Sequence, residues 1–271
     1  MRGNVGIQGM KCDRAIYILF VAGVYIFLIT PLVIVLLAAF NSGEYLTFPP
    51  EGFSVKWFNR FFHSQPFMDA LKTSLKLGIL TMICVTILGT TAALYVVRYA
   101  GKWKDYLRVI MVSPILLPSI LTGIALLLFY YIIGIGTRTF FGLLMAHILI
   151  TLPYAFLNVS SSLYNFDRSL EEMSRSLGAS QLKTFFRITL PLIKPGVISG
   201  AVFAFIISFD QFPVSLLLKG VGRTTLPIQL FDYVRWDFDP TAAAVSTVSI
   251  AITLGVVLLA ERLVGLDSLR W

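Results

Sequence analysis

Charge is missing from this sequence over stretches long enough to cross a lipid bilayer, and that pattern restricts the fold more than any motif does. Ala15 to Gly43, Leu77 to Val97, Val109 to Thr137, Thr139 to Phe166 and Pro240 to Ala260 contain no Asp, Glu, Lys or Arg, and Pro195 to Leu218 contains only Asp210. A hydrocarbon core of about 30 Å is spanned by roughly 20 helical residues, so each run suffices. None alternates apolar and polar residues as a barrel strand does. Only 13% of the 271 residues are charged and 57% are hydrophobic, whereas a water-facing domain carries roughly 25% charged residues. The expected class is therefore an all-α membrane protein with six transmembrane helices. The first run is too long for the apolar core of a removable leader, and with Arg2, Lys11 and Arg14 before it it reads as an anchor.

Lys and Arg are distributed unevenly among the connections. With the N-terminus inside, fourteen of the 22 lie in cytoplasmic segments and eight outside, which places both termini in the cytoplasm. The formal net charge of +8 is explained by this asymmetry, and nucleic acid is not needed as a partner. No phosphate-binding loop, nucleophile elbow or zinc-protease motif occurs, and neither Cys12 and Cys84 nor His63 and His147 are spaced to hold a metal. No catalytic or metal site is expected. His147, inside the fourth run, is read as hydrogen-bonded to a neighbouring helix rather than as a proton relay.

The longest cytoplasmic connection, residues 167–195, carries the most information. Ser169 and Glu172 have capping-box spacing, Leu170, Met173 and Leu177 share one helical face, and Gly178 can take a left-handed stop. Ser180 can cap a second helix whose apolar face holds Leu182, Phe185, Phe186 and Thr189, with Pro191 and Pro195 leading into the fifth run. Two short amphipathic helices in a polar loop expose apolar surface that calls for a soluble partner.

Glu172, Gly178, Ile188, Leu190 and Pro191 stand at the spacing E-A-A-x3-G-x9-I-x-L-P. The chain thereby resembles the permease subunits of binding-protein-dependent ABC importers, although Met173 and Ser174 replace the two alanines. Pro31 to Asn41 looks like the end of the family's first span. Ser208 to Ser215 and Asp239 to Ala244 look like the fifth and sixth spans of the spermidine/putrescine branch. The resemblance implies a type I permease fold, in which a first helix at 15–43 follows a tail at 1–14. A core at 70–263 contains the coupling loop, and a cytoplasmic tail occupies 264–271.

It also implies that Ser169, Glu172, Met173, Leu177, Gly178, Ala179, Ile188, Leu190 and Pro191 engage an ATPase. Phe205, Phe209, Asp210 and Phe212 are the expected solute-path residues, because a carboxylate in a span costs about 2.5 to 3.5 kcal/mol at the helix centre and turns toward a cavity or partner. The chain itself would do no chemistry and hold no cofactor; two ATPase subunits would bind ATP and Mg. The other implied partners are a second, non-identical permease and a periplasmic or extracellular solute-binding protein. The location would be the bacterial inner membrane. A polyamine is the expected solute, with phosphonates, other small organic solutes and ferric iron open, as is a self-sufficient carrier using Asp210. Outside, Leu230 to Asp239 mixes three acids with Phe231, Tyr233, Trp236 and Phe238, a composition that suits an interfacial aromatic belt.

Overall fold

The computed structural model describes residues 5–134, 139–220 and 224–264, with side chains from Ile16 onward. In chain order the helices are α1 (Val5–Ala39), α2 (Lys56–His63), α3 (Gln65–Arg98), α4 (Lys104–Leu116), α5 (Ser119–Ile132) and α6 (Phe140–Asn165). The short helices α7 (Ser169–Ser176) and α8 (Gln181–Thr184) follow, then α9 (Leu190–Phe209), α10 (Pro213–Leu218), α11 (Leu226–Val234) and α12 (Thr241–Val264). Five stretches are long and apolar enough to cross a membrane, and a sixth is reached when the bent pair Gly101–Leu116 and Ser119–Ile132 is counted as one broken span. The tails expected at the two ends fall largely outside the described residues, although α1 already begins at Val5.

Two compact units divide the chain, one formed by residues 1–63 with 233–250 and the other by 64–232 with 251–271. In the larger, α3, α6 and α9 pack as a three-helix core. Their close approach depends on glycine. A Cβ added at Gly200 would lie 2.8 Å from Ala155 Cα, and one at Gly89 would lie 2.7 Å from Ala155 Cβ, so Ala155 of α6 is held between the backbones of α3 and α9. One turn away, Gly196 faces Asn158 and Ser162. Gly196 and Gly200 form the small-xxx-small spacing that lets membrane helices approach without a hydrophobic driving force between them. Phe156, Val159, Leu163 and Ile193 fill one end of this core, and Leu77, Leu143, Ala146, Val214 and Leu218 the other.

Within the run from Val109 to Thr137, expected as one span, the described residues form two helices meeting at 103°. Pro118 causes the break: it has no N–H to donate, and its ring forces Leu117 into an extended conformation (φ −90°, ψ 136°). Pro114, Pro153 and Pro195 lie inside α4, α6 and α9 without ending them. A second correction concerns the fifth span. Instead of starting at Pro195, helix runs from Gln181 to Phe209 through a π-helical turn at Phe185–Thr189. There the Leu190 amide bonds Phe185 O, five residues back, so Pro191 enters where the ordinary ladder is already displaced. The helix stops at Asp210, and α10 resumes at Pro213.

In the smaller unit the buried Asn41 organises the loop after α1. Its Oδ1 accepts from Gly43 and Glu51 amides at 3.1 and 2.9 Å, and its Nδ2 donates to Tyr45 O at 3.1 Å. Trp57 packs on Ala38, Ala39 and Ala243 and donates Nε1–H to Asn41 O at 2.8 Å. Asp239 accepts from Arg60, at 2.6 Å, from Tyr233 at 2.8 Å and from the Thr241 amide at 2.9 Å, thereby capping α12. Most apolar side chains of α1 from Ile16 onward are exposed, as a helix solvated by lipid requires.

Candidate coupling loop and path residues

The loop after α6 is shaped by local hydrogen bonds. Asp167 Oδ1 accepts the Ser169 amide at 2.9 Å, so the carboxylate of Asp167 caps α7. This replaces the expected capping box: Ser169 is already the first helical residue, and Glu172 pairs with Arg168 at 3.2 Å one turn back. At the other end Gly178 has φ +87°. Its amide bonds Arg175 O at 2.9 Å and the Ala179 amide bonds Ser174 O at 3.1 Å, which is the paired Schellman closure that requires a left-handed residue. Ser180 Oγ accepts the Lys183 amide at 3.3 Å and starts α8. Ser174, standing where the family spacing has alanine, lies with its Oγ 3.2 Å from Thr184 Oγ1 and ties the two short helices together.

The two adjacent glutamates are treated differently by the fold. Glu172 is exposed, whereas Glu171 is buried at 9% exposure. Thr189 Oγ1, in the π-turn, donates to Glu171 Oε1 at 2.7 Å. Arg98 at the end of α3 brings Nε within 3.5 Å of Glu171 Oε2, near enough for an ion pair though not aligned as a hydrogen bond, and its guanidinium lies 5.3 Å over the ring of Phe166. Glu171 thus joins α7, the end of α3 and the root of α9. Sequence reasoning missed all three members, because nothing local distinguishes Glu171 from its neighbour.

That apolar face points away from the bundle. Met173, Leu177, Leu182 and Phe186 are 54%, 89%, 72% and 61% exposed, and an apolar groove runs between α7 and the start of α9, lined by Leu170, Met173, Leu177, Ile188 and Pro191. Of the expected coupling residues, Ser169, Glu172, Met173, Leu177, Gly178 and Pro191 are exposed, and Ala179, Ile188 and Leu190 half-buried.

The four expected path residues separate. Phe205 and Phe209 stack on each other at 5.6 Å and are buried, with Phe205 against Gly78. Asp210 is exposed at the end of α9, and Phe212 is half-buried beside Phe231 at 5.0 Å. The polar break therefore presents Asp210 and Gln211, and the two preceding rings belong to the core.

Residues 87–265 match the family described as "Binding-protein-dependent transport system inner membrane component". The chain belongs to that family. It is a permease subunit of an ABC importer. Among its relatives is the putrescine transport system permease protein PotI of Escherichia coli strain K12, 34% identical over 82% of this chain and 81% of the relative. The spermidine/putrescine transport system permease protein PotC of Haemophilus influenzae is 33% identical, over 88% and 92%. In three dimensions the permease resembles a chain of a bacterial ABC transporter for the acidic polysaccharide alginate (TM-score 0.70, 13% identity, 97% and 99% covered). It also resembles a chain of the MetNI methionine transporter (TM-score 0.62, 19% identity, 74% and 97% covered). These last two likenesses concern the fold alone. The expected all-α permease fold is the observed one, altered by the sharp bend in its third span.

Proposed function

We propose that this permease carries a polyamine or a similar small organic cation across the bacterial inner membrane, with both termini in the cytoplasm and no catalysis of its own. Asp210 carries the reading: it is the one acidic side chain within the charge-free runs, and it lies exposed at a break in the fifth span. A carboxylate there lowers the energy of a cation in a medium of low dielectric constant, where charge interactions are strong. The similarity to putrescine and spermidine/putrescine permeases supports the same solute class. Two ATPase subunits, binding ATP and Mg, would grip the exposed α7–α8 face. A second, non-identical permease would complete the path, and an external solute-binding protein would deliver cargo. ATPase closure would then rock a rigid element and reorient the spans, with no covalent step in this chain.

Uptake of labelled putrescine into proteoliposomes containing this permease with its partner permease, ATPases and binding protein tests the proposal. Asp210→Asn, which keeps size and removes charge, should lower uptake severalfold while docking of the loaded binding protein is retained. Uptake of a phosphonate instead of putrescine would overturn the solute class. Transport by this chain without ATP would overturn the coupling. Exclusive labelling of Ser180→Cys from outside intact cells, with Ser54→Cys silent, would reverse the orientation.

A further inference from the structure

His147 is fully buried in α6, and both of its ring nitrogens are occupied. Nδ1 lies 2.8 Å from Ser208 Oγ in the last turn of α9, and Nε2 lies 2.9 Å from Ser215 Oγ in α10. A neutral imidazole has one N–H and one lone pair, so one serine accepts from the ring and the other donates to it. The two serines stand on either side of the break at Asp210, Gln211 and Phe212. Irregular backbone at membrane depth is tolerated only where protein buries it or where it lines a cavity. Helix α10, with six residues, is too short to hold its own direction through internal hydrogen bonds. It leans on α5, where Gly123 admits Leu217, and on the imidazole. Because α5 is the far half of the bent third span, both broken spans meet at α10, and His147 pins that meeting point to the unbroken helix α6.

We infer that His147 is a positioning residue for transport: by holding Ser208 and Ser215 together it sets the angle across the break and so the direction in which Asp210 and Gln211 are presented. The transport role rests on the reading of Asp210 as a path residue; the clamp rests on geometry alone. The test uses the assembled complex in proteoliposomes, with Cys12→Ser, Cys84→Ser and Gln211→Cys in this chain. The rate at which a soluble thiol reagent modifies position 211 is measured beside putrescine uptake. Paired Ser208→Ala and Ser215→Ala preserve packing, and they should change the modification rate severalfold. In the chain retaining Gln211 they should lower uptake about tenfold or more, since both buried ring nitrogens are left unpaired, and raise the ATP consumed per solute. Adding His147→Leu to the serine pair should cost no more, since one clamp is removed either way. Wild-type modification and uptake in the serine pair would overturn the inference, even where His147→Leu alone fails to assemble. So would additive losses. A changed modification rate together with normal transport by Asp210→Asn would leave the clamp standing and retire the path role of Asp210.

Discussion

Thr189 donates its hydroxyl to Glu171 Oε1 at 2.7 Å, across eighteen residues of sequence, and the contact binds the short helix α7 to the root of α9. With Arg98 within 3.5 Å of the same carboxylate, α7 is tied to the ends of α3 and α9 through buried groups.

Glu171→Gln is accordingly expected to be far more harmful than Glu172→Gln. The Arg98 and Glu171 side chains are each 12% exposed, and breaking a buried pair from one side costs about 3 kcal/mol or somewhat more. The Arg168–Glu172 pair is more than 60% exposed at both ends, and such pairs contribute about 0 to 1 kcal/mol. Thermal unfolding of the two purified variants should separate them by many degrees, with Glu172→Gln close to wild type in stability.

Gly178 tests the loop more locally. A Cβ added there meets nothing within 4 Å, but φ is +87°, so Gly178→Val carries a backbone cost of about 1 to 2 kcal/mol with no clash inside this chain. Transport and solute-stimulated ATP hydrolysis should both fall while the protein still inserts. Gly178→Asn, which tolerates the left-handed region, should recover most of the loss.

Packing of the bundle should fail at Gly196 and Gly200 and be indifferent at Gly23. A side chain at Gly200 would overlap Ala155, and one at Gly196 would overlap Ser162 and Asn158 O; overpacking costs about 1 to 3 kcal/mol or more when backbone is the obstacle. Nothing lies within 4 Å of a Cβ at Gly23. Size-exclusion profiles of detergent extracts should show Gly200→Val largely aggregated and Gly23→Val unchanged.

Acid should loosen the start of α7. The Ser169 amide, aided by its hydroxyl, holds the carboxyl of Asp167 below the usual carboxylate range. A depressed folded value means that the cap is fully present above the ordinary carboxylate pKa and is lost as pH falls through the folded value. Amide exchange at Ser169 should quicken over that interval, after correction for its intrinsic pH dependence. Asp167→Asn, whose amide oxygen accepts without titrating, should remove the extra acid dependence.

Much of this protein was legible in its order of residues, for a physical reason. The cost of placing charge or unpaired backbone in hydrocarbon is paid segment by segment, so charge-free runs mark spans without reference to the rest of the chain. Glycine stops and helix caps are also local, and Gly178 and Ser180 act where their spacing placed them. Even here Asp167 displaced Ser169 as the cap of α7, because either residue can serve and the path of the chain leaving α6 chose between them.

Tertiary structure decided what depends on three elements arriving together. No periodicity separates Glu171 from Glu172; Arg98 and Thr189, distant in sequence, converge on one of them and leave the other in water. The rings at Phe205 and Phe209 could face a path or a core with equal composition, and Gly78 on α3 settles Phe205 into the core. His147 found two serines more than sixty residues away. The sequence alone determined which segments leave water, because that free energy is local. Which polar side chains meet inside them is set by helix packing, since a buried donor or acceptor must find its partner wherever the fold brings one.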